Sequence, residues 1–96
     1  MGSLRLGQRR ITYMYYVYIL KSGVVNRFYI GVTSNLEKRI KDHNAGWTKS
    51  TKPFRPWKII YKEKFEEKKK AYKREFYLKS PKGYLEKKSI QSKNLI

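Results

Sequence analysis

The segments VYIL, residues 17–20, and FYIGVT, residues 28–33, decide the fold of this chain. Tyrosine and β-branched residues dominate both segments and alternate between two faces, as they do in strands that pack on a core. The turn formers of KSGVVNR separate the segments, so the two are predicted to pair as an antiparallel hairpin. Each strand carries a tyrosine, Tyr18 or Tyr29, and burial of a tyrosine requires a partner for its hydroxyl.

The residues after the hairpin predict a helix with a defined start and end. In SNLEKRIKDHNAG, residues 34–46, Ser34 is the expected N-cap and Glu37 completes a capping box three residues later. The closing NAG tolerates the left-handed backbone that ends many helices. The following WTKSTKPFRPW is rich in turn formers and is predicted to be a loop.

A strand pattern and two helix patterns complete the chain. WKIIYKEKF, residues 57–65, predicts a third strand with Ile59 and Tyr61 on one face. Residues 66–79 favour a helix, SPKG breaks it, and residues 84–90 predict a short last helix. The expected fold class is α+β, a small three-stranded antiparallel sheet flanked by helices in the order β-β-α-β-α-(α).

The length of 96 residues predicts one domain with a thin core. Residues 1–13 are expected to be a disordered leader, residues 14–90 the folded domain and residues 91–96 a frayed tail. With no cysteine, the chain has neither disulfides nor thiolate metal ligands, which is compatible with a reducing compartment. The longest apolar stretch is far shorter than the ~20 residues of a membrane span, and no signal peptide is visible. We expect a soluble monomer of a bacterial-type cytosol or nucleoid, without membrane contact.

The charge balance indicates a polyanionic partner. The chain has 24 Lys plus Arg against 7 Asp plus Glu, a net charge of +17. Nucleic acid is the expected partner, because neutralising phosphates releases condensed counterions and gives affinity without sequence readout. A genome bias towards basic residues and a ribosome-associated module are the alternatives. The chain has no RNP-type aromatic signature, GXXG loop or zinc-knuckle cysteines of the generic RNA-binding folds.

Three polar side chains are predicted to point inward. On the first helix His43 lies on the apolar stripe, and Arg39 lies at its border, four residues earlier. On the second helix Glu75 shares a stripe with Ala71 and Leu78. Each polar residue also has a purely structural interpretation. His43 could be a core histidine with satisfied hydrogen bonds, and Arg39 a surface side chain with a buried stem. Glu75 could form a salt bridge. A buried carboxylate needs a partner, either an Arg or Lys side chain or a divalent metal.

The order of these residues resembles the GIY-YIG nuclease family over residues 15–85. The matching elements, in chain order, are Tyr16-Val17-Tyr18, Tyr29-Ile30-Gly31, Arg39, His43 and Glu75. STKPFRPW, and LKS after the glutamate, are similar to the small single-domain members, which resemble the nuclease module of the bacterial excinuclease. Two positions depart from the pattern. Tyr16 stands where the family name has glycine, and LEKK around Lys87 stands where the family has a late asparagine.

This resemblance implies a metal-dependent endonuclease that hydrolyses phosphodiester bonds in DNA, selects DNA structure, and acts in DNA repair or processing. Glu75 would hold one Mg²⁺ or Mn²⁺ ion, and Arg39 would stabilise the charge of the transition state. A tyrosinate would activate the attacking water. Tyr18 is favoured as this base, with Tyr29 and His43 positioning the water or sharing the proton, and the sequence does not decide among the three.

Gly31 supports this nuclease hypothesis, whereas the missing asparagine argues against it. Without a side chain, Gly31 leaves room for a phosphate or a metal to approach the backbone. The LEKK segment instead supports an alternative function, a catalytically weak or inactive nucleic-acid-binding module on the same fold. A small structural protein of a ribonucleoprotein is a third interpretation. DNA is favoured over RNA as the partner.

Overall fold

Three antiparallel strands form one sheet with the first strand at its centre. In the computed structural model, which describes residues 14–93, β1 covers Tyr15–Ser22, β2 covers Phe28–Thr33 and β3 covers Trp57–Phe65. The strand order is β2-β1-β3, and both pairings are antiparallel. The predicted leader, residues 1–13, lies outside the described residues.

Three α-helices flank the sheet. They are α1 at Leu36–Ala45, α2 at Lys68–Lys79 and α3 at Tyr84–Ser92, with short 3-10 turns at Lys52–Phe54 and Pro81–Gly83. This element order confirms the predicted α+β fold. The last helix continues two residues past its predicted end. None of the helices in the described part of the chain is long and apolar enough to cross a membrane.

Both faces of the sheet are covered, so β1 is buried on both sides. One core consists of Val17, Ile19 and Ile30 from the sheet with Ala71 and Leu78 from α2. The other consists of Tyr18, Leu20 and Trp57, with Leu36 and Ile40 of α1 packed against them. The predicted alternation along the hairpin is therefore confirmed, and the tyrosine face is a second core rather than a solvated surface.

The pairing of β3 differs from the predicted alternation. Tyr61 pairs with Ile19, whereas Ile59 pairs with Leu20, so Ile60 is an extra residue in a β-bulge. One extra residue reverses the facing of every side chain beyond it. Ile59 therefore packs in the core with Tyr18, and Tyr61 packs in the opposite one. The prediction that Ile59 and Tyr61 share a face was wrong for this reason.

The first helix also begins one residue later than predicted. Asn35, not Ser34, is the N-cap, because its side-chain oxygen accepts the N–H of Lys38 at 3.1 Å. Thr33 fixes this start, since its hydroxyl accepts the N–H of Asn35 at 3.1 Å. At the other end Gly46 has φ 87°, which confirms the predicted left-handed cap.

Candidate active site

Two tyrosines and two residues of α1 meet on one side of the sheet, above the pairing of β1 with β2. Tyr18 lies opposite Gly31 in this pairing, and Tyr29 is on the neighbouring strand. Arg39 and His43, one helical turn apart on α1, reach the same place from above. The structure thus brings together four of the side chains that the sequence predicted as site residues.

A row of hydrogen bonds connects these residues. Nε of Arg39 donates to the phenol oxygen of Tyr18 at 3.3 Å, and that phenol is 3.3 Å from Nε2 of His43. On its other side, Nδ1 of His43 is 2.9 Å from the hydroxyl of Thr51. The hydroxyl that burial of Tyr18 must satisfy therefore has two partners.

The partners of Thr51 determine the protonation of the histidine ring. The hydroxyl of Thr51 donates its single hydrogen to the carbonyl of Thr48 at 3.2 Å. It can then only accept from Nδ1 of His43, so Nδ1 carries the ring hydrogen and Nε2 is free to accept. Tyr18 accordingly donates its phenolic hydrogen to Nε2. A neutral His43 thus accepts a hydrogen bond from the phenol of Tyr18.

The protein environment shifts the pKa values of Tyr18 and His43 in the directions that disfavour their charged forms. Burial raises the pKa of the Tyr18 phenol, and the hydrogen bond from Arg39 opposes that rise. Burial lowers the pKa of His43, and the nearby charge of Arg39 lowers it further. The hydrogen bond to Tyr18 raises the pKa of Arg39, which stays cationic. In the resting protein both Tyr18 and His43 are therefore neutral at pH 7.

Tyr29 packs against the two buried rings. Its ring centroid lies 4.8 Å from that of His43 in an edge-on arrangement, and 6.2 Å from that of Tyr18. Tyr29 is half-buried, whereas Tyr18 and His43 are completely buried. Tyr29 is therefore the phenol of the pair that water can reach.

The space beside Gly31 is filled by the phenol of Tyr18. A Cβ added to Gly31 would lie 2.5 Å from the phenol oxygen of Tyr18 and 2.7 Å from Cζ. Any larger residue would overlap the ring, so the glycine is required for the position of the phenol. Approach of a phosphate or a metal to this backbone stays a prediction.

Glu75 lies on α2, beyond the group formed by the other four residues. Its side chain is 19% exposed, and its carboxylate forms an ion pair with Nζ of Lys79 at 3.0 Å. No hydrogen bond joins Glu75 to Tyr18, Tyr29 or the α1 residues within residues 14–93. Its negative charge nevertheless contributes to the raised pKa of Tyr18, so the carboxylate lies within electrostatic reach of the phenol.

Glu75 fits a divalent ion that is coordinated by one protein carboxylate together with water and the oxygens of a substrate phosphate. The described residues contain no group of three or more His, Cys, Asp or Glu side chains that could hold a metal alone. Mg²⁺ does not require such a group, because it keeps several waters and commonly binds one or two carboxylates together with phosphate oxygens. Glu75 is one such carboxylate, and among the described residues its side-chain partner is the ammonium group of Lys79.

The sequence did not indicate the residues that hold His43 in place. Thr51 is buried, and its carbonyl accepts the indole N–H of Trp57 at 2.8 Å. Asn44 accepts the backbone N–H of Trp57 at 2.6 Å and donates to its carbonyl at 3.0 Å. The only available signal was the STKPFRPW loop, which contains Thr51 and Trp57 without showing which atoms meet.

Two basic clefts lie on the surface of the described residues. A cleft of about 620 Å³ is lined by Asn44, Lys52, Pro53, Arg55 and Pro56. A second cleft of about 470 Å³ is lined by Lys79, Ser80, Pro81, Tyr84 and Lys87, at the junction of α2 and α3. Each has two cations and no carboxylate in its lining, which suits a phosphate backbone.

Comparison with known proteins identifies the class of this domain. Residues 14–89 match the family model described as the GIY-YIG catalytic domain. The chain therefore belongs to the GIY-YIG family, and the resemblance inferred from its sequence is confirmed. Its family is one of nucleases, whose substrates are nucleic acids and whose members generally depend on a divalent metal.

Particular relatives are bacterial proteins of similar size. The chain is similar to a UPF0213 protein of Clostridium perfringens, with 51% identity over 67 residues that cover 69% of this chain and 71% of the relative. It is 45% identical over 67 residues to a UPF0213 protein of Staphylococcus haemolyticus, covering 69% of this chain and 80% of the relative. The solution NMR structure of a UPF0213 protein from Bacillus halodurans aligns with 84% of this chain and 85% of its own, at 28% identity and a TM-score of 0.49.

Proposed function

We propose that this protein is a metal-dependent endonuclease that hydrolyses phosphodiester bonds in DNA, selects DNA by its structure, and acts in DNA repair or processing in the bacterial-type cytosol. The observation that supports this most directly is the hydrogen-bonded row from Arg39 through Tyr18 and His43 to Thr51. Such a row fixes a cation, a phenol and a neutral imidazole in one place. The catalytic unit is residues 14–90, acting as a monomer.

Arg39 is the group that receives the phosphate. Its Nε is held by the Tyr18 phenol, which orients the planar guanidinium. The guanidinium has five N–H donors, more than the two tyrosines next to it can use. The remaining donors can stabilise the negative charge that develops on the phosphate oxygens during hydrolysis.

Tyr29 is the phenol that meets the attacking water, and Tyr18 acts behind it. The sequence favoured Tyr18 for this role, but Tyr18 is completely buried and a base must lie within hydrogen-bond reach of the proton that it takes. Tyr29 is half-buried and its ring packs on His43. Tyr18 then holds Arg39 in position, and its own proton is held by Nε2 of His43.

Glu75 would hold the divalent ion, Mg²⁺ or Mn²⁺. When bound, that ion supplies positive charge that stabilises the phosphate oxygens and lowers the pKa of nearby water or phenol. Lys79 neutralises Glu75 in the free protein, at 3.0 Å. When the ion binds to Glu75, the ammonium group of Lys79 must move to a substrate phosphate. The basic cleft that Lys79 lines would receive this phosphate.

The alternative is a nucleic-acid-binding module with little or no cleavage activity. Two observations favour it: the carboxylate of Glu75 already has a partner in Lys79, and Lys87 lines a cleft where the family has its asparagine. The basic clefts serve binding under either proposal. DNA is preferred to RNA in both.

The two proposals are separated by a nicking assay on supercoiled and branched DNA with Mg²⁺, Mn²⁺ or EDTA, and with branched RNA in parallel. Glu75→Gln keeps the shape of the side chain but removes the charge that a hard cation requires, so cleavage should collapse while DNA binding persists. Glu67→Gln is the matched control, because Glu67 pairs with Lys70 near the start of the same helix and is largely exposed. If wild-type protein cuts no substrate above the Glu75→Gln background, the nuclease proposal is wrong and the binding module remains.

A further inference from the structure

The side of α2 that borders Glu75 is an exposed surface of lysines and aromatic rings. We name it the α2 outer face, and its members are Lys68, Lys69, Tyr72, Lys73, Phe76 and Lys79, all exposed. Tyr72 and Phe76 stand four residues apart, so they are neighbours on the helix surface. Phe76 is 75% exposed. The two rings thus form an uncovered apolar strip with ammonium groups around it.

Of the lysines of this face, Lys79 has an acidic partner, Glu75, among the described residues. Lys68, Lys69 and Lys73 form no ion pair with any residue between 14 and 93. Within α2 itself Glu75 is the only acidic residue. The α2 outer face therefore suits an occupant that is anionic and also offers flat apolar surfaces to the two rings.

Three occupants can be compared on this basis. A second copy of the chain has the same net charge of +17 and would be repelled by this face, which costs free energy. A DNA duplex offers phosphates, but its base faces are stacked inside and cannot cover an aromatic ring. An unpaired strand offers both phosphates and base faces, and base stacking on aromatic side chains is the usual mode of single-strand binding.

We propose that the α2 outer face binds an unpaired stretch of a nucleic-acid strand, with bases stacked on Tyr72 and Phe76 and phosphates held by the lysines. The face borders Glu75, the proposed metal ligand, since Tyr72 lies three residues before Glu75 and Lys79 lies four residues after it. This inference rests on the proposed function and narrows its substrate class. The substrate would be DNA with unpaired nucleotides beside the bond to be cut, as in flaps, forks and loops.

Binding in EDTA tests the proposal without any need for cleavage. Fluorescence anisotropy is measured for a labelled single-stranded oligonucleotide and for the duplex of the same sequence, at one salt concentration. The wild type should bind the single strand more tightly. Phe76→Ala should weaken single-strand binding by roughly fivefold to a hundredfold, the range for loss of one base stack, and leave duplex binding within about twofold.

Two variants make this result specific. Leu85→Ala is the matched control, because Leu85 is an 80% exposed apolar residue that lies on α3 and does not belong to the α2 outer face, and it should change neither affinity. Phe76→Trp keeps a stacking surface and should retain single-strand binding. A folded Phe76→Ala variant, checked by its circular dichroism, excludes a structural effect.

The opposite results overturn the proposal. It is wrong if Phe76→Ala weakens duplex and single strand equally, or neither of them. It is also wrong if the variant instead abolishes self-association in sedimentation equilibrium or binding to anionic phosphatidylserine vesicles. A wild-type protein that binds single strands through Phe76 but cuts no DNA would leave this inference standing and remove only the nuclease proposal.

Discussion

The phenol oxygen of Tyr18 lies 3.3 Å from Nε2 of His43, and neither side chain is exposed to solvent. A neutral tyrosine and a neutral histidine that are joined by a hydrogen bond inside a core form a buried pair rather than a surface site. Their link to solvent runs through Tyr29 and Arg39, which are only partly buried. This layered arrangement gives the two tyrosines different tasks, and it makes their separate removal informative.

Removal of each phenol in turn should distinguish these tasks. Tyr29→Phe should lower the cleavage rate by about a hundredfold or more and flatten its rise with pH, because it removes the proposed base. Tyr18→Phe should cost less, about tenfold, and keep that rise, because Arg39 loses orientation while the base remains. The measurement is kcat against pH for both variants and the wild type. A flat profile for Tyr18→Phe alone would return the role of base to Tyr18.

The stability of the protein should decrease as the pH falls below about 6.5, the ordinary pKa of histidine. Burial and Arg39 lower the pKa of His43 in the folded state, while Asp42 acts weakly in the opposite direction. The unfolded chain therefore binds a proton more readily than the native one, so stability is full above pH 6.5 and is lost as pH falls towards the folded pKa.

This pH effect can be assigned to one residue, because His43 is the single histidine of the chain. Urea unfolding at several pH values between about 5 and 7 avoids most carboxylate titration, which occurs near pH 4. His43→Gln should show a smaller change in free energy of unfolding over this range than the wild type. Equal slopes for the two proteins would exclude His43 as the origin.

Arg74 should be important for stability although it is not part of the site. Its side chain is 19% exposed and forms ion pairs with Glu63 of β3 and with Glu86 of α3, so it joins three elements. Arg74→Gln would leave two carboxylates without their cation. We expect a loss of about 2 kcal/mol, less than for a fully buried pair because both partners are partly exposed.

An exposed pair on the same helix is the control for Arg74. Lys70 is 66% exposed, and its one ion pair with another described residue is with Glu67 at 3.7 Å. Lys70→Gln should therefore change the free energy of unfolding by less than about 0.5 kcal/mol. Both values come from urea unfolding at one ionic strength. Equal effects of the two substitutions would show that Arg74 does not hold the elements together.

Sequence patterns predicted the layers of this fold but not its register. Alternation placed Val17 and Tyr18 on opposite faces correctly, because each strand's pattern is local. The bulge at Ile60 was missed, since it depends on which residue of β1 each residue of β3 meets. Periodicity on α1 placed Arg39 and His43 together, again from local spacing.

The support of the site was beyond what sequence patterns can predict. Thr51 reaches His43 from a loop, and loops have no periodicity from which a facing direction can be derived. The ion pair of Glu75 with Lys79 follows a spacing of four residues that is readable in the sequence. Whether a metal displaces Lys79 from Glu75 depends on the charges present when the substrate binds. Residue spacing does not predict these charges.

Gly31 provides the sharpest test of the position of the Tyr18 phenol. In Gly31→Ala the new Cβ would lie 2.5 Å from the phenol oxygen, which is held by Arg39 and His43 and cannot move without breaking a hydrogen bond. We expect a loss of about 1 to 3 kcal/mol in stability from overpacking, and a fall in cleavage to near the level of Tyr18→Phe.

A double-mutant cycle then assigns this effect to the phenol. Tyr18→Phe removes the oxygen that lies closest to the new methyl group, although Cζ at 2.7 Å still keeps part of the clash. The double variant should therefore be more stable than the sum of the two single losses predicts, and its cleavage should be no lower than that of Tyr18→Phe alone. Additive losses in both stability and cleavage would mean that Gly31 acts on something other than the phenol, such as the approach of a phosphate to the backbone.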